Sequence, residues 1–311
     1  MHDTEMRPFA TKILAHMGET VLHVDFLARG ATCKVWKIQS EHRSYALRVI
    51  EADSRAVDSD LDEFVRATIH AKGGRVSEPI LSSGGINLRL TGKRWSLDAF
   101  VPGEHPVRGA LSEAVCRQLG ETLAILHSLP VRDFGKPSHV NMPYLVGQKT
   151  DPLDGVMQRF ENPIPQTWED GFVHPLLSNA PDILPQILAH LRQVAAVVGD
   201  GNSVLCHSDI HEKQLICAKG ALAALIDFGD ATILDRHWDL GSVLYFHGKA
   251  NAAIMLEAYQ SNLGPDTILP EAIPSFSVAV AMHHASRSTK PAKGHRLDRA
   301  IRHVRQIVTG E

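Results

Sequence analysis

The character of the sequence changes at Pro102-Gly103, and this change most constrains the fold. Upstream, short apolar or alternating segments separated by turns predict six strands, over residues 21–27, 33–38, 45–50, 79–81, 86–90 and 95–101. They also predict one helix, over 59–69, capped by Ser59. Downstream, apolar residues recur mainly at helical spacing. The order favours an α+β fold with two lobes.

The predicted boundary divides the chain into residues 1–101, a small lobe built on an antiparallel sheet, and residues 102–311, a larger and mainly helical lobe. Helices are expected from Ser112, over 183–198 and from Trp238 onward. Residues 130–182, rich in Pro, Asp and Asn, are expected to form an irregular insert. A ligand can bind between two such lobes, since clefts at domain interfaces are common ligand sites.

Composition narrows the class of protein. The 311 residues are 44% hydrophobic with a formal net charge of -3, so the chain can bury a sizeable core and nucleic acid is not the expected partner. No apolar run is long enough to span a membrane, and the N-terminal residues lack a signal-peptide pattern. The four cysteines form no CxxC pair. We therefore expect a cytoplasmic protein with reduced thiols, and no nucleic-acid or membrane partner.

Two polar loops, each following an apolar strand, carry the chemistry. The first is His207-Ser208-Asp209-Ile210-His211, which continues to Gln214, and the second is Ile226-Asp227-Phe228-Gly229-Asp230. Only strand, turn and strand separate Asp209 from Asp227, so both carboxylates are expected at one edge of one cleft. Phosphoryl transfer needs one carboxylate to accept the proton of the attacking hydroxyl and another to hold a divalent metal.

These motifs resemble the aminoglycoside phosphotransferase and choline kinase-like family, which has the protein-kinase fold. The family's His-Gly-Asp-Leu-His-x-x-Asn loop is similar to His207–Gln214, and its Ile-Asp-Phe-Gly-Asp loop is identical to Ile226–Asp230. Three further family elements have counterparts in the same order, at Phe100–Gly103, Leu119–His127 and Leu234–Leu240. The resemblance covers about residues 20–260.

The resemblance implies a bilobal protein-kinase-like fold and a small-molecule kinase that uses ATP or GTP with Mg²⁺. Asp209 would be the catalytic base, Asp227 the main Mg²⁺ ligand and Asp239 a brace for the catalytic loop. Gln214 stands where the family has Asn or His as the second metal ligand, and its stem is one methylene longer. The acceptor would be a hydroxylated small molecule, either an antibiotic, which would mean antibiotic resistance, or a metabolite. The oligomeric state is left open.

The resemblance also assigns nucleotide-binding residues in the N-terminal lobe. Arg48 would contact the phosphates, because triphosphate charge must be offset in a partly dry cleft. Glu63 on the following helix is the expected partner of Arg48, with Asp60 and Asp62 as competitors. The turn that contains Gly30 and Thr32 would cover the phosphates. The backbone from Asp98 through Phe100 to Val101 would contact the purine. The side chains of these three residues give little information about the site.

Two other functions remain open at this point. His207, Asp209 and His211 could ligate Zn²⁺ or Fe in a metal-dependent hydrolase, although the Asp-Phe-Gly element would then be unexplained. The Gln214 substitution instead suggests a catalytically weak nucleotide-binding module.

The charge pattern bears on the acceptor. Residues 148–182 contain six acidic residues against two basic ones, whereas residues 283–305 contain seven Lys or Arg against Asp298. If the basic segment faces the cleft, it would repel a polycation, and only charges that line the pocket matter at physiological salt. We therefore predict a neutral or weakly charged acceptor, such as a nucleoside-like or sugar-containing antibiotic or metabolite, rather than a polycation. Residues 296–308 should form a helix with one apolar face. Its arginines Arg299, Arg302 and Arg305 are expected on a solvated face, with anion binding as the alternative.

Overall fold

The chain divides into two compact units that do not follow a single boundary. The computed structural model describes residues 3–30, 33–51, 56–86, 88, 92–141, 144–264, 268–289 and 294–310. Unit 1 comprises Met1–Glu104 together with Ala223–Gly229, and unit 2 comprises His105–Leu222 together with Asp230–Glu311. The predicted boundary at residue 101 assigns Ala223–Gly229 to the C-terminal lobe, whereas the structure assigns this segment to unit 1.

Unit 1 is built on a five-stranded antiparallel sheet in the order β1-β2-β3-β5-β4. The strands are β1 Val21–Arg29, β2 Cys33–Ser40, β3 Ser44–Ile50, β4 Pro79–Ser82 and β5 Trp95–Ala99. Alternating burial along β3 matches the period of a strand with one covered face. The strand predicted over 86–90 lies partly outside the described residues, and Ile86 and Leu88 are not in a strand.

The described part of unit 1 has two helices, α1 Asp3–Ala15 and α2 Ala56–Ala71. α1 buries Phe9 and Ile13 in a core that also contains Trp36 and Trp95. It has no counterpart in the sequence prediction, since Pro8 lies inside it. α2 begins three residues before the predicted cap Ser59, so that assignment of the cap is wrong.

Unit 2 contains most of the helices. They are α3 Glu113–His127, α4 Pro152–Arg159, α5 Pro175–Asn179, α6 Leu184–Gly199, α7 His237–His247, α8 Lys249–Leu263, α9 Ile273–Ser286 and α10 His295–Thr309. α3 begins next to Ser112, where the sequence predicts the start of a helix, and the Ser112 hydroxyl caps it by accepting from the N–H of Val115. Among the described residues, we find no helix both long and apolar enough to cross a bilayer.

The insert over 130–182 is not irregular, so that prediction is wrong. It contains β6 Val131–Arg132, β7 Phe134–Asn141, β8 Tyr144–Lys149 and helices α4 and α5. With β9 Val204–Cys206 and β12 Thr232–Leu234, its strands form a second five-stranded sheet, in the order β6-β8-β7-β12-β9. A Cβ at Gly147 would lie 2.1 Å from the carbonyl oxygen of Phe134, so glycine is required for this pairing.

The two polar loops are placed by short buried strands. β9 is fully buried and leads into His207, and β10 Leu215–Ala218 follows Gln214. β11 Ala221–Leu225 pairs with β10 and leads into Asp227. The order of strand, loop, strand, turn, strand and loop is the one that the sequence predicts.

Candidate active site

The loop that carries Asp209 is held by a buried carboxylate. Asp239, in the first turn of α7, is fully buried and accepts hydrogen bonds from the backbone N–H groups of His207 (2.7 Å) and Ser208 (2.8 Å). The Nε2 atom of His127 lies 3.1 Å from the same carboxylate. Hydrogen bonds to a buried carboxylate are strong. The structure thus confirms the predicted bracing role of Asp239.

Ser208 adopts a backbone conformation that favours glycine. Its φ is 67°, in the left-handed region, where the family motif has Gly. Its hydroxyl donates to the carbonyl oxygen of Asp230 (2.8 Å) and accepts from Nε of Arg159 (2.8 Å). These contacts and Asp239 offset the cost of this conformation.

Asp209 lies next to this strained residue and stays partly open to solvent. Its side chain is 27% exposed. Nη2 of Arg159 lies 3.9 Å from Oδ2 of Asp209 and 3.8 Å from Oδ2 of Asp230. Nε2 of His211 lies 3.7 Å from the same Asp209 oxygen. Arg159, which the sequence analysis did not single out, therefore touches both carboxylates; no motif marks it.

Gln214 ends the same loop and is buried. Its backbone N–H donates to the carbonyl oxygen of His211, and its Nε2 lies 3.5 Å from Nε2 of His211. The amide group also carries an oxygen, which is the type of donor that Mg²⁺ accepts.

Arg48, on β3, lies at the centre of a buried ion network in unit 1. Its guanidinium contacts Asp62, and its Nε lies 3.0 Å from Oδ2 of Asp98 and 3.1 Å from Oγ of Ser96. Glu63 instead bonds to Ser82. The predicted pair of Arg48 with Glu63 is therefore wrong, because the neighbouring acid, Asp62, is the one that α2 buries.

Asp62 links Arg48 to the loop that carries Asp227. One oxygen of Asp62 binds Arg48 and Arg66, and the other accepts from the backbone N–H of Phe228 at 3.0 Å. Burial alone would raise the pKa of Asp62, but the two guanidinium groups outweigh it and hold that pKa below its usual range. Burial alone would lower the pKa of Arg48, but the carboxylates of Asp62 and Asp98 outweigh it and raise that pKa. Both groups are therefore charged at neutral pH.

The Asp227 loop is fixed on both sides of the exposed carboxylate. On one side, Leu225 forms a parallel bridge with Val76, and its N–H donates to the carbonyl oxygen of Arg75 at 2.8 Å. On the other side, Phe228 is fully buried. Asp227 itself is exposed, with a φ of 69°. The fold therefore holds the backbone in a costly conformation while it presents the carboxylate.

Cys33, the first residue of β2, lies near these charges. Burial raises the pKa of Cys33. The positive charge of Arg48 opposes this rise, and the negative charge of Asp227 adds to it. The N–H of Gly30 donates to the carbonyl oxygen of Cys33 at 2.8 Å, which closes the hairpin. Thr32, predicted to bind the nucleotide, lies outside the described residues.

The segment predicted to meet a purine is ordered by β5. The Asp98 carboxylate is buried against Arg48 and Arg66, so it belongs to the ion network. The N–H of Phe100 donates to the carbonyl oxygen of Ser44 at 3.0 Å. Val101 follows as half-buried irregular backbone. The structure thus gives the Asp98 side chain a structural contact.

The oxygen donors fit the metal that the motifs imply. Asp227 offers an exposed carboxylate and Gln214 an amide oxygen, and both suit a hard cation such as Mg²⁺. Within the described part of the chain, the only group of three His, Cys or acidic residues with ligand atoms within 4.8 Å of one another is His127, Cys206 and Asp239. These side chains are hydrogen-bonded within the core, where Asp239 holds the loop.

The hydrolase alternative gains no support from this geometry. His207, Asp209 and His211 do not bring their ligand atoms within that distance of one another among the described residues. All four cysteines are free thiols, as the sequence predicts.

Comparison with known proteins places this geometry in a family. Residues 23–272 match the phosphotransferase enzyme family (APH). No curated protein sequence matches the chain.

Solved structures share the fold at low identity. Aminoglycoside phosphotransferase APH(4)-Ia is 16% identical with a TM-score of 0.65, and 99% of each chain is covered. A thermostable mutant of that protein was solved with AMP-PNP and hygromycin B. A macrolide 2'-phosphotransferase from Brachybacterium faecium is 15% identical with a TM-score of 0.56, covering 94% of this chain and 97% of that one.

A spectinomycin phosphotransferase, solved with ADP and spectinomycin, is 15% identical with a TM-score of 0.52, covering 95% of this chain and 93% of that one. These likenesses confirm the predicted protein-kinase-like α+β fold, with its antiparallel N-terminal sheet and helical C-terminal region. The family match extends over most of the chain. The chain therefore belongs to the phosphotransferase enzyme family, and it is a small-molecule phosphotransferase with an alcohol group as acceptor.

Proposed function

We propose that this enzyme transfers the γ-phosphoryl group of ATP or GTP to a hydroxyl of a small antibiotic or metabolite in the cytoplasm. The observation that carries the proposal is the link from Arg48 through Asp62 to the backbone of Phe228, next to Asp227. It fixes a cation and an exposed carboxylate within one rigid network, and phosphoryl transfer requires a cation for the phosphates and a carboxylate for the metal. The nucleotide complexes of the similar proteins support a nucleotide donor.

Each residue then has a defined task. The Asp209 carboxylate accepts the proton of the acceptor hydroxyl, and the hydroxyl oxygen forms a bond to the γ-phosphorus. The bond from that phosphorus to the bridging oxygen breaks, and the nucleoside diphosphate leaves. Arg48 binds phosphate oxygens, and Asp227 with Gln214 would hold Mg²⁺. Bound Mg²⁺ would neutralise the charge on the phosphates.

The remaining nucleotide contacts are assigned to the N-terminal lobe. The hairpin turn at Gly30 and Thr32 would cover the phosphates through its backbone. The backbone from Asp98 through Phe100 to Val101 would face the purine. Glu63 keeps only an indirect role, since Asp62 is the partner of Arg48.

Turnover on a panel of hydroxylated antibiotics and metabolites, with Mg²⁺ and either nucleotide, tests the proposal. Nucleoside diphosphate should form only when an acceptor is present. Asp209→Asn should lower kcat by about 10²–10⁴-fold while nucleotide affinity survives. Asp298→Asn, at an exposed position on α10, is the matched control and should keep full activity.

Three outcomes would contradict the assignment in different ways. Product formation without nucleotide would indicate a hydrolase. A rise in Tm with nucleotide but no turnover on any acceptor would indicate a binding module. Near-normal kcat in Asp209→Asn would remove that residue as the base.

A further inference from the structure

Within the described part of unit 2, five arginines from four segments lie close enough to act on one another or on a shared histidine, and two of them, Arg159 and Arg296, also interact with Asp209. This arginine cluster consists of Arg108, Arg159, Arg287, Arg296 and Arg299. Arg159 ends α4 and is only 8% exposed at its side chain, whereas the other four are half-buried. Buried or half-buried cations without equal compensation are costly, so such a group calls for an explanation.

The cluster packs against an aromatic layer formed by Tyr245, Phe246 and His284. Tyr245 is 5% exposed and stacks on His284 with ring centroids 5.3 Å apart. Nη1 of Arg296 lies 3.1 Å from Nδ1 of His284, and the guanidinium of Arg108 lies 5.0 Å above the ring of Phe246. Burial, reinforced by the arginines, lowers the pKa of His284 well below its usual value, so this ring is neutral. This aromatic layer therefore contacts the arginines but contributes no negatively charged group to balance them.

Among the described residues, few acids interact with the cluster. Arg159 approaches Asp209 and Asp230 only at 3.9 and 3.8 Å, beyond hydrogen-bond distance. Glu212 acts on Arg108 and Arg299, and one oxygen of Glu212 is itself buried without a hydrogen-bond partner among the described residues.

The cations also repel one another. Burial and the charge of Arg287 lower the pKa of Arg296, against the opposing effect of Asp209. Burial and the charge of Arg299 lower the pKa of Arg108 in the same way. Positive charge therefore exceeds negative charge here.

Several donors in the cluster are buried without a hydrogen-bond partner among the described residues. They are Nη1 and Nη2 of Arg108, Nε of Arg287 and the hydroxyl of Tyr245. The four charges that act on that hydroxyl include Arg299, Arg108 and Arg296, so it lies among the cations. Leaving such donors unpaired costs free energy that an oxygen-rich anion would recover.

We propose that the arginine cluster binds an anionic oxygen group, a carboxylate or a phosphate, carried by the hydroxylated acceptor. Guanidinium groups bind both anions through paired N–H donors. Because Nη2 of Arg159 lies 3.9 Å from Oδ2 of Asp209, an anion held by the cluster would place the rest of the acceptor near the proposed base. The inference rests on the proposed kinase function and narrows its substrate class to hydroxy acids or phosphorylated alcohols.

The acidic insert does not oppose this conclusion. Asp151 caps α4 by accepting from the N–H of Leu153, and Asp182 pairs with Arg305 at an exposed site. Glu169 and Asp170 are exposed. These four of the six acids are thus exposed or in local contacts, whereas the arginines that interact with Asp209 come from both segments, Arg159 from the insert and Arg296 from the basic segment.

Calorimetric titration of the nucleotide-free protein tests the site without turnover. The probes are inorganic phosphate, D-glycerate as a hydroxyl-bearing carboxylate, and glycerol as the neutral counterpart. We expect at least one anion to bind more tightly than glycerol. Arg296→Gln and Arg287→Gln should each raise its Kd about 10- to 100-fold, as expected for loss of a charged hydrogen bond. Arg192→Gln, which removes an exposed charge on α6, should leave the Kd unchanged.

The anion that binds identifies the acceptor. Tight phosphate binding points to a phosphorylated alcohol, and tight glycerate binding points to a hydroxy acid. Arg296→Lys keeps the charge and should retain binding within about tenfold, which separates loss of charge from misfolding. Equal Kd values in wild type, Arg296→Gln and Arg287→Gln would overturn the proposal, as would no preference of the wild type for either anion over glycerol. Because no phosphoryl transfer is measured, these failures are distinct from failure of the kinase assay.

Discussion

Three buried histidines should make the stability of this enzyme depend strongly on pH. His174, His247 and His303 are 1%, 3% and 8% exposed. Burial lowers the pKa of each from 6.5 to about 4. Each ring makes at least one hydrogen bond; Nε2 of His303, for example, lies 2.9 Å from Oγ of Ser277, and Nε2 of His247 lies 3.1 Å from the carbonyl oxygen of Ile210. All three residues lie in unit 2.

The sign follows from proton uptake. Between pH 6.5 and 4 the unfolded chain binds a proton at each of these histidines and the folded chain does not, so acid favours unfolding. At pH 5, one such group lowers the free energy of unfolding by about 2 kcal/mol relative to pH 8. Three independent groups remove about 6 kcal/mol, which is large against a typical total of roughly 5–15 kcal/mol. His283 and His284, whose pKa values burial lowers well below their usual value, act in the same direction.

Urea unfolding followed by tryptophan fluorescence from pH 8 to pH 5 measures this loss. In His303→Gln, which can keep a hydrogen bond to Ser277, the loss between pH 8 and pH 5 should shrink by about 2 kcal/mol. His295→Gln, at an exposed position of the same helix, should behave like the wild type. Equal stability at pH 8 and pH 5 would refute the reasoning, as would the same pH dependence in the two variants.

Three substitutions test the site residues. Asp62→Asn should lower the free energy of unfolding by about 3–5 kcal/mol, because it removes one of the two buried carboxylates that compensate Arg48 and Arg66; Glu63→Gln is the control, and equal effects in urea unfolding would contradict the ion network. Asp227→Ala should abolish the Mg²⁺-dependent part of nucleotide affinity, and an unchanged Kd for Mg²⁺-ATP and Mg²⁺-GTP would argue against its role as a ligand. Gln214→Asn should keep kcat within about tenfold or raise it, since Asn restores the usual length of the ligand; a collapse of kcat with intact folding would mean that Gln214 is specifically fitted.

The elements set by local periodicity could be predicted. The alternation along β3 and the apolar spacing in α3 and α10 place one face of each element in the core, so a period in the sequence becomes an element in the structure. The loops at Asp209 and Asp227 were predictable for the same reason, because each directly follows a short buried strand. The mutual position of these two loops does not follow from such local signals.

The features set by long-range contacts could not be predicted. β7 is paired with β8 and β12, and the close approach of Gly147 to Phe134 makes a strand possible where Pro and Gly suggest irregular chain. Asp62 and Glu63 are adjacent acids on one helix, and only tertiary packing determines which of them is buried against Arg48. Arg159 belongs to no motif and lies beside Asp209 because of where α4 ends.

Both polar loops use the same structural device. In unit 1 a buried carboxylate, Asp62, accepts from the N–H of the residue after Asp227. In unit 2 a buried carboxylate, Asp239, accepts from the N–H of the residue before Asp209. In each unit the buried acid fixes the backbone, and the exposed acid beside it is available to a ligand.

The hydrogen bonds to the two buried acids explain how the loops tolerate backbone strain. Ser208 and Asp227 have φ values of 67° and 69°, which cost non-glycine residues free energy. Asp239 and Asp62 are hydrogen-bonded at or next to these positions, and each is buried, so loss of either would release the strained loop and leave unpaired donors. Exchanging the buried acid should therefore disorder the loop and lower stability together, whereas exchanging an exposed acid should affect ligands alone. The four acids thus form two functional pairs, although only the exposed member of each is proposed to contact a proton or a metal.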